Sequence, residues 1–442
     1  MKIKLFLTIS SLLLLSANTS ASSFGTFDPR SLAMGGTGVA SGDAANASYY
    51  NPALLAAPRE NDDFSLVVPT VVIGAADPKN LSDALDTYDA ANYEIILDNT
   101  ITTFNSSGSA ADYIANAGAA GTASQDLLNG INTLSNKEII FNANAGVVLA
   151  VPSESLGFAI SANGRASGGA LLNITAADNQ LVQDYITVLN CIGALPGSSN
   201  VADVIACDAS APSTDVLNDA TGNFNNVDTA ANMTSTINSR GAAITEAGIS
   251  LAHKFNVLGG LSIGITPKSI SVDTFDYEIG VNVADIDIDT GKKSYSDTNL
   301  DVGMAMNLTD NIKLGVVAKN IIEKEYLTIL GNTVKIEPQY RAGLAYQNDW
   351  ILLAADMDLT ENKGIGFENN TQYAAVGVEL DLLDFFQLRA GLRHNMNSDN
   401  PTIDSDIASI GVGFNIFAVQ LDLGVAGNSD EISGGLQLAV KF

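Results

Sequence analysis

Through its last third the chain alternates between apolar and small or polar residues. Leu436, Leu438, Val440 and Phe442 fall on one face of an extended segment, against Gly435, Gln437, Ala439 and Lys441. The same period of two runs through residues 417–425, 386–393, 351–359, 312–319 and 300–308. Successive side chains of a strand point to opposite sides, so each stretch predicts a strand with one apolar face. The segments are about ten residues long, the length a tilted strand needs to cross a bilayer, where soluble strands average five or six. Fourteen candidate strands begin near residues 64, 140, 155, 244, 259, 297, 311, 338, 350, 371, 385, 407, 417 and 433. Short connections (152–154, 255–258, 309–310, 348–349, 381–384, 415–416) alternate with long ones (74–139, 165–243, 273–296, 322–337, 360–370, 395–406, 427–432). Short periplasmic turns and longer outside loops are the habit of transmembrane barrels, and an even strand count leaves both ends of the barrel on the periplasmic side.

The expected fold is therefore all-β: a transmembrane antiparallel β-barrel of about 14 strands, with residues 61–442 forming the wall. Mean hydropathy is +0.18, yet no segment after the N-terminus is apolar for eighteen residues, which excludes spanning helices. The first strand holds Pro69, which a ladder tolerates at a bulge, kink or edge. Two stretches interrupt the rhythm, 75–138 and 166–243. Both are rich in Ala, Asn, Ser and Asp, with short helices expected over 81–99 and 126–134. They read as external loop insertions or as a separate cap.

Residues 1–21 carry an export signal. Lys2 and Lys4 precede an apolar run centred on Leu12–Leu15, and Thr19-Ser20-Ala21 suits cleavage. The run is too short to span a membrane. Export through the Sec pathway follows, with Phe442 closing the last strand as a signal for barrel-assembly machinery. Net charge is −28, and becomes two units more negative when the signal lysines leave. Such a surface repels phosphates, so direct nucleic-acid binding is excluded. Cys191 and Cys207, in an oxidising compartment, suit a loop-stapling disulfide better than a reactive thiol pair.

Little catalytic chemistry is visible. The two histidines, His253 and His394, stand apart, so neither a zinc site nor a hydrolytic triad is expected, and no cofactor. Asp285, Asp287 and Asp289 read as an acidic edge rather than a calcium loop, which needs more oxygen ligands. Lys313, Lys319, Arg341, Arg389 and Arg393 fall on the lumen face beside Asp301, Asp356, Asp358, Glu379 and Asp422. Lumen charges of this kind form a structural network or set selectivity.

The most specific stretch precedes the first strand. It contains Arg30, Ala33-Met34-Gly35-Gly36, Gly38-Val39-Ala40, Asp43-Ala44 and Tyr49-Tyr50-Asn51-Pro52-Ala53-Leu54. A phosphate loop at Gly35, Gly36 and Gly38 would need a strand before it and a helix after it, and neither is evident. Residues 22–60 are compact enough to plug a barrel that would otherwise be an open channel. This motif resembles the N-terminal hatch of the FadL-type outer-membrane channels for hydrophobic compounds, and within them the TraF-like conjugal-transfer and PorV-like branches. Residues 317–320, 341–344 and 389–393 resemble the C-terminal strands of the same superfamily. The resemblance implies an outer-membrane barrel of a Gram-negative bacterium, in contact with lipid, and a small hydrophobic ligand. It also implies that Asn51, Pro52 and Ala53 meet a kink in the third strand, for which Gly164, Gly168 and Gly169 are the candidates. A lateral opening there would release an apolar molecule sideways. The alternative is an envelope or conjugal-transfer interaction protein without transport, in which the same turn only fixes the plug.

Overall fold

The computed structural model describes residues 24–57, 63–212, 215–225, 233–257, 260–280, 291–382, 385–397 and 406–441. The export signal expected at residues 1–21, Phe442 and the Asp285-Asp287-Asp289 run lie outside them.

Fourteen strands close into one antiparallel barrel. In chain order they are β1 (Ser65–Ala76), β2 (Lys137–Val151), β3 (Gly157–Asn173), β4 (Thr236–Phe255), β5 (Leu261–Gly280), β6 (Lys292–Asn307) and β7 (Ile312–Lys319). After a two-stranded hairpin, β8 (Lys324–Leu327) and β9 (Thr333–Ile336), come β10 (Gln339–Gln347), β11 (Ile351–Asp358), β12 (Tyr373–Leu382), β13 (Phe386–Asn395), β14 (Asp406–Ile416), β15 (Val419–Gly427) and β16 (Glu431–Lys441). β1 pairs with β16 from Ser65↔Lys441 to Ala76↔Glu431 and closes the wall. The register slips between Val67 and Thr70 on both sides of Pro69, which is the bulge that proline requires.

The alternation seen in sequence is the inside and outside of this wall. Leu436, Leu438, Leu423, Val425, Leu344, Leu353 and Val376 face outward and exposed, while Gln437, Asp422, Asp356 and Ala345 on the same strands are buried in the lumen. An outward belt of large aliphatic groups on a barrel whose backbone ladder has no open edge at that level is suited to hydrocarbon. Exposed Trp350, Phe385 and Phe417 crown the short-turn end, where aromatic girdles sit at a membrane interface.

The wall is not level. β2 to β6 are fifteen to twenty residues long, whereas β7, β10 and β11 have eight or nine. Strand therefore replaces expected loop: β3 continues to Asn173, β4 begins at Thr236, β5 reaches Gly280 and β6 begins at Lys292. The second insertion is correspondingly shorter than the 166–243 expected from sequence.

Both insertions are helical and fold together. α3 (Leu81–Ala91), α4 (Tyr93–Asn105) and α5 (Ala110–Leu134) follow β1, and α6 (Ala176–Gly193) and α7 (Val201–Ala206) follow β3, where α1 and α2 denote the plug helices Pro29–Ala33 and Ala47–Tyr50. Phe104 and Tyr113 of the first insertion pack on Leu189, Ile192 and Phe224 of the second, so the two make one outer head. Cys191 and Cys207 are joined as a disulfide, Cα to Cα 5.6 Å, linking the end of α6 to the end of α7. Residues 80–136 and 166–239 contain no Lys or Arg, so the basic residues are confined to the plug, the barrel wall and its other loops.

Candidate functional site: the plugged lumen

Three side-chain caps give the plug its shape. Asp28 Oδ1 accepts from Ser31 N (3.0 Å) and starts α1, with Pro29 in its first turn. Asp43 Oδ1 accepts from Asn46 N (3.1 Å) and starts a 3-10 turn that leads into α2. Asn51 Oδ1 accepts from Ala53 N (3.1 Å) and starts the 3-10 turn Pro52–Ala56. Short helices leave most of their N–H groups unpaired, and side-chain caps satisfy them inside the barrel without water. Phe27 and Asp28 both donate their N–H to the Tyr50 hydroxyl, at 2.8 and 3.3 Å, which ties the first turn to the last helix.

The wall meets this plug with glycine. Gly264, Gly303, Gly315, Gly343, Gly377, Gly391, Gly411 and Gly424 all turn inward at the level of the plug, and several are direct ladder partners: Gly264↔Gly303, Gly315↔Gly343, Gly377↔Gly391 and Gly411↔Gly424. A Cβ at Gly264 would lie 2.6 Å from Pro52 O, and one at Gly303 would overlap Asn51 Oδ1 and sit 2.9 Å from Pro52 Cδ. Backbone thus packs directly on backbone. Within the plug, Gly35 has φ +72° and its missing Cβ would fall 2.6 Å from Leu392 O. That position needs glycine on both counts. Gly36 also has positive φ, and a side chain on Gly38 would strike the Tyr50 ring.

Charges fasten plug to wall. Arg30 grips Glu379 with two bonds of 2.7 and 2.9 Å; Glu379 also takes Arg389 (2.7 Å), which reaches Asp422 (2.6 Å). Asp356 accepts from Gly38 N and Val39 N at 2.8 and 3.0 Å. Arg341 pairs with Asp358 (2.6 Å), donates to Gly36 O (3.0 Å) and lies 4.2 Å from the Phe24 ring centre. Lys319 donates to Tyr49 O (2.7 Å) over the Phe27 ring, and Lys313 donates to Ala57 O (3.1 Å). Arg393 stands higher, paired with Glu431 (2.6 Å) and stacked on Tyr373. Sequence reasoning named Arg30, Asp43, Lys441 and Asp301 without their partners, and missed Arg165, Glu246 and Lys268, which with Asp301 form a chain on β3 to β6. The signal for Arg165, Glu246 and Lys268 was present: each is a lone charge on the inward face of an otherwise neutral strand segment.

Two expectations need correction. Asn51 bonds away from the third strand: its Nδ2 donates to Val39 O (2.9 Å) and to Met304 O on β6 (3.0 Å), Pro52 and Ala53 lie on Gly264 of β5, and it is Leu55 of the same turn that lies on β3, at Gly157. Nor is the third strand interrupted. β3 keeps unbroken register with β2 and β4 through Gly164, Gly168 and Gly169, so the wall is shut where a lateral opening was expected. Asn51 to Leu55 are fully buried. Space lies higher up. A cavity of about 330 Å³ sits between Phe24–Thr26, the walls of β1, β2, β12 to β14 and β16, and the loop at 363–371, lined by Leu32, Val72, Ile140, Asn142, Tyr373 and Arg393 among others. Its roof residue Glu368 bonds Ser167 across the lumen, and burial pushes its carboxyl up to about 7. The β8–β9 hairpin closes the neighbouring sector, burying Tyr326, Val334 and Ile336 against Ile244, Ile270 and Val272. Among the described residues no His, Cys, Asp and Glu cluster is placed to hold a metal.

A closed barrel with a lipid-facing belt, a seated N-terminal plug and long loops at one end defines the class: an outer-membrane β-barrel. The family model for the F plasmid transfer operon TraF protein matches residues 48–358, and the chain belongs to that family. Solved structures of similar architecture include the Pseudomonas putida toluene transporter TodX (12% identity, 95% of this chain and 99% of that one, TM-score 0.48). They also include the Ralstonia pickettii toluene transporter TbuX (11%, 95% and 99%, 0.48) and a Pseudomonas aeruginosa FadL homologue (11%, 96% and 100%, 0.48). No curated protein matches the chain by sequence.

Proposed function

We propose that this chain is a closed outer-membrane scaffold that serves envelope or conjugal-transfer machinery through its outer surface, and that it does not conduct solute. The observation that supports this reading is the tightly seated plug: Asn51 is wholly buried with its amide bonds made, and β3 is continuous. In this account residues 1–21 are removed on Sec export, residues 22–60 are a fixed plug, and the disulfide-stapled head meets partner proteins. Direct contact with nucleic acid is disfavoured by a head without cationic side chains. The test is flux. The mature chain, reconstituted in vesicles, should pass neither ions nor toluene, while a chain lacking the plug should conduct ions. Saturable passage of toluene through the intact chain would overturn the proposal.

A second reading, a passive uptake channel for small hydrophobic molecules, is favoured by the outer cavity of about 330 Å³ with Phe24, Leu32, Val72, Ile140 and Ile407 on its wall. A drug-sized ligand occupies pockets of this order. The same flux measurement separates the two.

A further inference from the structure

β6 outruns its neighbour. It pairs with β5 from Phe275↔Lys292 to Leu261↔Met306, but with β7 only from Val302 to Asn307. Above Val302 the next chain segment turns away: Ile321 N bonds Leu300 O, and residues 324–336 then fold into the lumen as the β8–β9 hairpin. Tyr295 and Lys293 reach that hairpin with their side chains, at Leu327 O and Thr328 O, so it covers the inner face of β6 and not its edge.

The bond at Leu300 fixes which backbone groups point sideways. Residues of the same parity, Ser294, Ser296 and Thr298, turn their N–H and C=O away from β5, and among the described residues no partner takes them. All three are exposed. This is a row of alternating donors and acceptors repeating about every 7 Å. An edge of this kind does not survive in hydrocarbon, so the serine-rich segment stands above the membrane.

We infer that the β6 edge at Ser294–Thr298 is a docking site for an extended segment of a partner protein, which adds as a strand directly above β7. Only an extended backbone supplies acceptors and donors at that repeat. The added strand continues the register of β7 and so runs antiparallel to β6. Its outward side chains meet Ser294, Ser296 and Thr298, which suits hydroxyl or β-branched residues. A second copy of this chain does not fit. In the same membrane its β6 would run parallel to this one, and because it continues unbroken from Lys292 to Asn307 its lower half would run into β7. The site is independent of whether a pore exists below.

The test uses the full mature chain in lipid nanodiscs and hydrogen–deuterium exchange. Without a peptide, the amides of Ser294, Ser296 and Thr298 should exchange at least a hundredfold faster than those of Tyr295 and Asp297. The probe is a ten-residue peptide of alternating Thr and Val with a terminal Lys pair, beside a copy N-methylated at alternate residues. The first should slow exchange at the three edge amides, and the methylated copy should not. Ser296→Pro should weaken binding at least tenfold while the barrel keeps its heat-dependent gel mobility. The inference is overturned if the edge amides are already protected, if both peptides act alike, if the peptide does not bind, or if Ser296→Pro binds as the parent does.

Discussion

Replacing Gly303 by alanine puts a methyl group where the Asn51 amide sits. The new carbon would overlap Asn51 Oδ1 and approach Pro52 Cδ to 2.9 Å. Neither atom is the loose end of a flexible chain. Asn51 is held by Ala53 N, Val39 O and Met304 O at 3.1, 2.9 and 3.0 Å, in full burial. Each such bond contributes about 1 kcal/mol net, and a buried group left unpaired costs about 1–3 kcal/mol. Displacing the amide therefore weakens plug docking by about 4 kcal/mol, roughly a thousandfold in the docking equilibrium. The barrel ladder survives, because alanine keeps the β6 backbone bonds. Protease cleavage between residues 24 and 57, mapped by mass spectrometry, should rise steeply, with gel mobility of the barrel unchanged. Gly164→Ala is the control, since a Cβ there meets nothing within 4 Å. Equal resistance of the two variants would refute the claim that backbone contact at the glycine belt seats the plug.

Arg30→Met should lower the melting temperature markedly, since breaking a buried pair costs about 3–5 kcal/mol; Arg30→Lys should rescue it only in part, because lysine loses the two-pronged grip on Glu379. Cys191→Ser with Cys207→Ser should leave the barrel melt unmoved but destabilise the head by about 3 kcal/mol, read as faster thermolysin cutting around α6 and α7. Docking of the loop at 363–371 should weaken as pH rises. Glu368 is held up at about 7 by burial, above the ordinary value of 4.5. Its contribution is thus complete below pH 4.5 and lost as pH passes 7. Amide exchange in the loop, corrected for intrinsic rate, should speed up between pH 5 and pH 8, and Glu368→Gln should abolish the change.

The barrel was readable because lipid imposes a rule on every strand it touches. Where lipid ends, the rule ends. β5 beyond Asp273 sets Phe275, Tyr277 and Ile279 against Thr274, Asp276 and Glu278, and β6 before Asp297 is mostly Lys and Ser, so neither carries the aliphatic stripe that lipid demands, and sequence alone made them a loop although they pair without a break. The β8–β9 hairpin escaped for a related reason: Tyr326, Val334 and Ile336 are buried by the lumen wall, a surface no local pattern reveals. The plug motif was legible as a compact element, since Asp-Pro, Asp-Ala-Ala-Asn and Asn-Pro-Ala each begin a turn. Its partners were not. That Asn51 meets β6 and not β3 depends on how the plug is rotated inside the ring, and rotation is set by contacts far apart in sequence, such as Arg30 to Glu379.

The ring also fixes an order of events during assembly. Pro29 and Ala33 rest on Gly424 and Gly411, residues made nearly four hundred positions later, and β1 finds its second neighbour only in β16. The plug therefore has no complete seat until β14 to β16 are in place, so sealing the seam and stopping the bore depend on the same strands.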